Sequence, residues 1–500
     1  MFIETAISQI ERSRHDVSLR LKSARRSALG QYMTPASVAR YMASIFSISE
    51  GGCVRLLDPG AGMGALSAAF IQGWQQRSNV ESMLDVTVYE LDDDLRKHLE
   101  ANLKACCAVV ESAKRKVAVR VLAHDFLEVS ANPLEFDVRP IFTHAILNPP
   151  YKKISSDSKH RIWLRECGIE TVNLYSAFVA LALQQLAKGG ELVAIIPRSF
   201  CNGPYYKPFR KFLLKAASLD HIHLFDSRDK AFKDDEVLQE NVIIKLVRGK
   251  VQGFVTVSHC TDGSFCDYRE SICEFGEIVK RDDPEQFIHI PDGLESAPVS
   301  TARQFLHSLA DIGVEISTGP VVDFRLKSHL RKYPESGTVP LLYPCHVADS
   351  HVSWPIEKSK KANALVLDDE TRRWLYPAGC YTVVRRFSAK EEKRRVMATV
   401  VRPGDLGNCE QIAFENHLNV FHFNKQGIPE ELAFGICAYL NSTQVDRDFR
   451  AFNGHTQVNA TDLRMLKYPD RKALIKLGRW LKRAGTVDQD QIDGRVKELL

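Results

Sequence analysis

Residues Cys53-Val54-Arg55-Leu56-Leu57-Asp58-Pro59-Gly60-Ala61-Gly62-Met63-Gly64-Ala65-Leu66 read as a short apolar strand that runs into a glycine-rich turn and then into a helix. Glycines at such a turn let the backbone approach a ligand closely, and a helix start offers N–H groups that have no intrahelical partner. In a parallel sheet this unit forms a nucleotide-type pocket at the carboxyl end of the strands. The spacing is Gly-x-Gly-x-Gly, not the Gly-x-Gly-x-x-Gly of dinucleotide sites, so the surrounding sequence must carry the rest of the reading.

Outward from this turn, residues up to about 258 alternate short apolar runs with helical segments, the pattern of a mostly parallel sheet wrapped by helices. Strands are expected at Val54 to Leu57, Val86 to Tyr89, Val117 to Leu122, His144 to Leu147, Glu191 to Ile196, His221 to Phe225 and Asn241 to Val247. Thr34 and Pro35 suit an N-cap and first helical position, with Val38, Tyr41, Met42 and Ile45 on one face of a helix reaching Ser47. A second helix, Leu174 to Lys188, is expected to stop at Gly189-Gly190. The fold class is therefore α/β, a Rossmann-like doubly wound sheet of seven strands. Beyond 260 the periodicity weakens, and Gly319-Pro320, Tyr343-Pro344, Trp354-Pro355 and Tyr376-Pro377 punctuate the chain. The expected organisation is a basic amphipathic helical segment over 1–30, a sheet domain over 31–260, and a smaller mixed α/β domain over 261–500.

A chain of 500 residues exceeds one hydrophobic core, and 44% hydrophobic with 26% charged residues is ordinary for a globular protein. The apolar stretches fall short of the roughly 20 residues a membrane span needs, and the N-terminus lacks the pattern of a signal peptide. The expectation is a cytoplasmic protein with no membrane partner. Twelve scattered cysteines with no Cys-x-x-Cys pair read as reduced thiols; Cys260, Cys266 and Cys273 are too widely spaced for a metal knuckle, so no metal is expected. A net charge of +5 is mild, but basic residues cluster from Arg385 to Arg395 and from Arg471 to Arg483.

The chemistry sits at the strand ends. Glu90, after Val86 to Tyr89, is placed to accept ribose hydroxyls, as acids do at that position in doubly wound folds. Asp125-Phe126 closes the third strand with a carboxylate for an adenine amine and a ring to cover it. The strand His144 to Leu147 delivers Asn148-Pro149-Pro150-Tyr151. An exocyclic amine conjugated to a purine is a poor nucleophile, and catalysis must draw both N–H bonds to acceptors as the nitrogen turns tetrahedral. The Asn148 side-chain oxygen and the Pro149 carbonyl supply two acceptors, the two prolines stiffen the turn, and Tyr151 offers a ring for a base taken out of its stack.

In this order the motifs resemble the gamma class of N6-adenine DNA methyltransferases of bacterial restriction-modification systems. Gln31-Tyr32-Met33-Thr34-Pro35 is similar to the segment that closes over the methionine part of the cofactor in that class. The resemblance implies the class I methyltransferase fold, S-adenosyl-L-methionine as cofactor, and double-stranded DNA as partner. It assigns cofactor contacts to Thr34, Asp58, Gly60, Gly62, Glu90, Asp125 and Phe126, and a catalytic role to Asn148, Pro149, Pro150 and Tyr151. It covers residues 28 to 250 with specific motifs. More loosely, Ser317-Thr318-Gly319-Pro320 and Gly454-His455-Thr456-Gln457-Val458-Asn459-Ala460 are similar to modification enzymes paired with type II endonucleases of the PstI and BsuBI kind. That similarity implies pairing with a restriction endonuclease and, as target, the inner adenine of CTGCAG. DNA is expected in a basic cleft between the domains, with Arg325, Arg385, Asn453 and His455 as candidate base readers.

Rival readings remain. Pro344-Cys345 and Glu240-Asn241-Val242 are similar to cytosine C5 methyltransferase motifs but stand in the wrong order. Protein glutamine methyltransferases also use Asn-Pro-Pro-Tyr, but they are compact chains that lack so long a basic and aromatic extension. RNA adenine methylation shares the chemistry, and an inactive DNA-binding module would not need the complete Asn148 to Tyr151 set.

Overall fold

The computed structural model describes residues 7–8, 10–12, 33–48, 52–78, 82–112, 115–132, 142–226, 240–281, 283–291, 305–347, 351–388, 392–407, 409–452, 457–485 and 487–499. The chain divides into two compact units, Met1–Glu295 and Ser296–Leu500.

The first unit is built on β1 (Cys53–Pro59), β2 (Met83–Tyr89), β3 (Lys116–Leu122), β4 (Phe142–Leu147), β5 (Leu186–Pro197), β6 (Ala217–Phe225), β7 (Asn241–Arg248), β8 (Val255–Cys260) and β9 (Arg269–Cys273). Their order across the sheet is β3-β2-β1-β4-β5-β7-β6-β8-β9. The pairs β3/β2, β2/β1, β1/β4 and β4/β5 are parallel, and β7 enters antiparallel between β5 and β6. Because both faces are covered, the central strands are nearly continuous apolar runs, such as Leu192 to Ile196 and Val242 to Ile244. The seven expected strands are all present, and β8 and β9 extend the sheet past β6. Cys273, in the segment the sequence reading placed beyond residue 260, thus pairs with Val255 inside this unit.

The strand order reverses between β1 and β4, so the carboxyl ends of these strands flank a topological switch point. Helices α1 (Ala36–Ser44), α2 (Ala65–Arg77), α3 (Asp93–Ser112), α4 (Phe126–Ala131), α5 (Lys159–Glu166), α6 (Leu174–Gln185) and α7 (Lys207–Ala216) accompany the sheet. In α6, Tyr175 through Leu183 are all buried, as expected of a helix apolar on every side.

Two local expectations are corrected. Helix α6 ends at Gln185, and Gly189-Gly190 lie inside β5. They form an irregularity in the β4/β5 ladder, where Phe142 pairs with Leu186 but His144 pairs with Glu191. A Cβ on Gly190 would stand 3.1 Å from the Thr143 carbonyl oxygen, so the glycine serves close strand approach, not a helix stop. Thr34 does not cap α1: the Ala36 N–H donates to Glu11 Oε2 at 2.9 Å. The opposite end of α1 is held by Arg77, which donates to the carbonyls of Ala43 and Phe46 at 2.8 Å each. Ile7 and Ile10 are buried in the same core as Val38 and Met42, while most of the expected N-terminal helix, residues 13–32, lies outside the described residues.

The second unit contains β10 (Glu315–Thr318), β11 (Leu330–Arg331), β12 (Thr338–Leu342), β13 (Ala364–Val366), β14 (Tyr376–Pro377), β15 (Tyr381–Arg385), β16 (Ala398–Val401), β17 (Gln411–Phe414) and β18 (Leu418–His422). They form an antiparallel sheet, β10-β18-β15-β16, and a mixed sheet, β11-β13-β12-β17-β14. Helices α8 (Glu430–Leu440) and α9 (Arg471–Ala484) pack together. In α9 the basic run is amphipathic, with Leu474 and Leu477 buried while Lys472, Lys476 and Arg479 are exposed.

Candidate active site

The turn after β1 is held from β2: the N–H groups of Gly60 and Ala61 both donate to the Tyr89 carbonyl at 2.9 Å. Gly60, Gly62 and Gly64 have φ of 78°, 56° and 87°, a left-handed path that only glycine follows without strain. A Cβ on Gly62 would meet nothing within 4 Å, so open space faces the turn there.

Asp58 is fully buried at the end of β1, and its Oδ2 accepts the Ser67 hydroxyl of α2 at 2.6 Å. Its Oδ1 has no hydrogen-bond partner among the described residues. Burial pushes the carboxyl up to about 7; the Ser67 hydrogen bond opposes this and nearby Glu90 adds to it. Glu90 is also buried, and it accepts the Gly62 N–H through Oε2 and the Asp92 N–H through Oε1, each at 2.8 Å. Burial raises its pKa against those two bonds. Two buried carboxyl groups beside a glycine turn with open space at Gly62, one with an orphaned oxygen, favour a ligand that brings donors and positive charge.

Asp125 caps α4, with Oδ1 accepting the Leu127 N–H at 2.8 Å, while Oδ2 lies 2.8 Å from His160 Nε2 on α5. Burial would raise this carboxyl, but the His160 contact and the Leu127 and Glu128 N–H groups together hold it below the ordinary range. Phe126 is buried, edge-on to Tyr89 at 5.3 Å and tilted against Phe178 at 5.4 Å.

At the end of β4 the Asn148 amide is gripped at both atoms. Nδ2 donates to Thr34 Oγ1 at 2.9 Å, and Oδ1 accepts the Tyr151 hydroxyl at 3.2 Å. The same hydroxyl lies 3.2 Å from the Ile195 carbonyl of β5, and the Tyr151 ring stands edge-on to Tyr175 at 6.2 Å. Pro149 is buried and Pro150 half-buried. The Leu174 N–H donates to the Lys152 carbonyl at 2.8 Å, which ties the segment after this turn to the start of α6.

Thr34, Asp58, Gly60, Gly62, Glu90, Asp125, Phe126 and Asn148 to Tyr151 thus all belong to the first unit, the acids and the Asn148 turn at carboxyl ends of β1 to β4. Three contributors escaped the sequence reading. Ser67 left only a faint signal, a polar residue on an otherwise apolar helix face; His160 left none, since it sits in a polar stretch that reads as a loop; and the Ile195 carbonyl is backbone. The Phe209 ring of α7 is buried in the core against Phe200 and so offers no face to a base, while Phe232 lies outside the described residues. Of the candidate readers, Arg325 is exposed, Arg385 is paired with Glu392 and Met397 Sδ, and Asn453 and His455 lie outside the described residues. Among the described residues no group of three or more His, Cys, Asp or Glu could hold a metal ion, and no helix is long and apolar enough to cross a membrane.

A parallel sheet with a glycine turn, buried acids and an Asn-Pro-Pro-Tyr turn around its switch point defines a Rossmann-like methyltransferase. Residues 92–232 match the family described as Eco57I restriction-modification methylase. The chain is 47% identical over 501 residues to the type II methyltransferase M.BsuBI of Bacillus subtilis, covering 99% of this chain and 98% of that protein. It is 42% identical over 480 residues to the type II methyltransferase M.PstI of Providencia stuartii, covering 95% and 93%. The chain belongs to this family of type II methyltransferases of restriction-modification systems. Its fold is also that of the type IIL restriction-modification enzyme MmeI, solved in complex with DNA, with a TM-score of 0.52 at 10% identity over 100% of this chain and 73% of that one.

Proposed function

We propose that this methyltransferase acts on the N6 amine of an adenine turned out of duplex DNA, with S-adenosyl-L-methionine as methyl donor. The observation that carries the reading is the Asn148 amide, fixed by Thr34 on one atom and directed towards a donor on the other, next to the glycine turn. The orphaned Asp58 Oδ1 and buried Glu90 suit the ammonium, sulfonium and ribose hydroxyls of that cofactor, with Asp125 and Phe126 left for its adenine. When bound, S-adenosyl-L-methionine supplies an electrophilic methyl group. The chain's own residues do the rest: Asn148 Oδ1 accepts an N–H of the target amine in exchange for the Tyr151 hydroxyl, and the Pro149 carbonyl accepts the other. Both bonds strengthen as the nitrogen lone pair leaves the ring, which is the differential binding that lowers the barrier. The Tyr151 ring offers a face to the unstacked base.

The second unit is the part proposed to read the DNA, and full-length identity to M.BsuBI and M.PstI supports a role in protecting DNA from a partner endonuclease. Incubation with labelled S-adenosyl-L-methionine and, separately, plasmid DNA, RNA and a protein lysate tests the class of substrate. Label is expected in DNA as N6-methyladenine, and sequencing of the plasmid tests CTGCAG as the site. Label in RNA or protein alone rejects the proposal.

A further inference from the structure

The segments Ser317 to Pro320 and Gly454 to Ala460 stood out in the sequence but take no part in the site above. Their described residues converge. On β18, Asn419 Oδ1 accepts the Thr318 hydroxyl at 3.3 Å while its Nδ2 donates to the Val458 carbonyl at 2.7 Å. The Gly319 N–H donates to the Leu418 carbonyl at 2.8 Å, and a Cβ on Gly319 would stand 2.2 Å from the Glu415 carbonyl oxygen, so no other residue fits there. Both segments therefore hold the first residues of β18, directly after Glu415-Asn416-His417, the turn that carries the chain from β17 of one sheet into β18 of the other.

The Glu415 side chain is completely buried, and among the described residues its hydrogen bonds come from His417 alone. The His417 N–H donates to Oε2 at 2.9 Å, and His417 Nδ1 lies 2.6 Å from Oε1. Burying a carboxylate is costly, and this one serves to aim a single imidazole whose side chain is 41% exposed. A carboxylate at Nδ1 keeps the proton on that nitrogen, so in the neutral ring Nε2 is an acceptor. The ring packs on Phe387 at 5.1 Å, itself 45% exposed, and the Arg386 N–H donates to the His417 carbonyl at 2.9 Å. Arg386 further donates to the Asn416 carbonyl and to Asn459 Oδ1. The segment bridged to Glu415 through Val321 carries Phe324, 64% exposed, with the Arg325 guanidinium 5.7 Å from its ring centre.

We propose that His417 is a specificity-determining residue, its Nε2 accepting a hydrogen bond from an exocyclic amine of cytosine or adenine at a base edge of duplex DNA, with Phe387 shielding the ring. This deepens the reading above and rests on it. An aimed acceptor on an exposed turn, with an arginine and a second exposed ring beside it, fits direct readout in the major groove better than a phosphate contact, because an acceptor repels phosphate.

The test compares wild type, His417→Ala, His417→Asn and Glu415→Gln on duplexes that carry the methylated sequence found by plasmid sequencing and on a set altered one base pair at a time. His417→Ala is expected to lower kcat/KM on the intact site by about 10- to 100-fold and to relax discrimination at one base pair only. Glu415→Gln should relax the same base pair to a smaller extent, and non-specific DNA binding and its salt dependence should not change. Thermal unfolding of each variant identifies loss of fold; if His417→Ala does not fold, the comparison rests on the other two. Unchanged discrimination, or uniform weakening on every duplex, overturns the proposal while leaving the adenine reading intact. A wild-type protein that labels no DNA overturns both.

Discussion

Asn148 and Asp58 show at single-residue scale how local chemistry is set by neighbours far along the chain. In the proposed mechanism Asn148→Ala removes an acceptor whose bond is strongest in the transition state, so turnover should fall on the order of 100-fold or more while cofactor affinity is largely kept. Single-turnover methylation beside equilibrium cofactor binding separates the two quantities, and near-normal turnover would reject the assignment. Asp58 carries the opposite kind of signature. With its carboxyl pushed up to about 7, the folded protein holds a proton that the unfolded chain releases near the ordinary 3.8. Stability from this group is therefore full below about pH 4, declines as pH rises towards about 7, and is level above that. A cationic ligand prefers the ionised form, so cofactor affinity should rise through about pH 7 with release of a proton. Asp58→Asn should flatten the affinity profile and, because its pH slope opposes that of the buried histidines, steepen the fall in stability from about pH 8 to about pH 5, measured by calorimetric binding and by denaturant unfolding. An unchanged slope in the variant would show that another group titrates.

At the scale of elements, α1 is a short helix whose ends are secured from outside itself, by Glu11 at its first N–H and Arg77 at its last carbonyls. Its middle is anchored by Tyr41, whose hydroxyl lies 3.0 Å from both His221 Nε2 and Ser258 Oγ. Because Glu11 takes the cap, Thr34 is free of that duty and reaches Asn148. Glu11→Ala should cost about 1 kcal/mol of stability, the usual loss on removing a cap, and should also slow methylation by loosening Thr34. Denaturant midpoints and turnover measured on one preparation check both effects; a stability loss with wild-type turnover would uncouple the cap from the site. The sequence suggested Thr34 as the cap because Thr-Pro is a good local signal, and local signals cannot register a competitor some twenty residues upstream. The expected stop at Gly189-Gly190 failed for a similar reason: glycine permits both a helix end and a close strand approach, and the neighbouring strand selects the second.

Across the whole molecule, buried histidines set the response to acid. Burial lowers His221 to about 4 and His223 to about 3, and His144, His289, His346 and His422 are displaced in the same direction. These rings stay neutral in the fold while the unfolded chain takes up protons below about 6.5, so they withdraw stability as pH falls from about 6.5 towards about 4. Asp58, Glu90 and Asp448, all raised by burial, oppose them, but three groups do not offset six. Unfolding free energy should therefore decline from about pH 6.5 to about pH 4, and far-ultraviolet circular dichroism in denaturant across that range checks it. A flat or rising profile would mean that the histidine shifts do not govern acid behaviour.

The sequence by itself determined the alternation of strands and helices, the seven expected strands, and the placing of Asp58, Glu90, Asp125 and Asn148 at strand ends. Each of those features is encoded within a dozen contiguous residues, through apolar runs, glycine turns and a doubled proline. Only tertiary structure decided that Asn148 is held by Thr34, that Asp58 leans on Ser67 and Asp125 meets His160, that β8 and β9 join the sheet, and that Thr318, Gly319 and Val458 gather around Leu418 and Asn419. Hydrogen bonds between residues nine to more than a hundred positions apart leave no periodicity in the chain. They exist because burial strips these polar groups of water, and each must then find whatever partner the packed fold brings within reach.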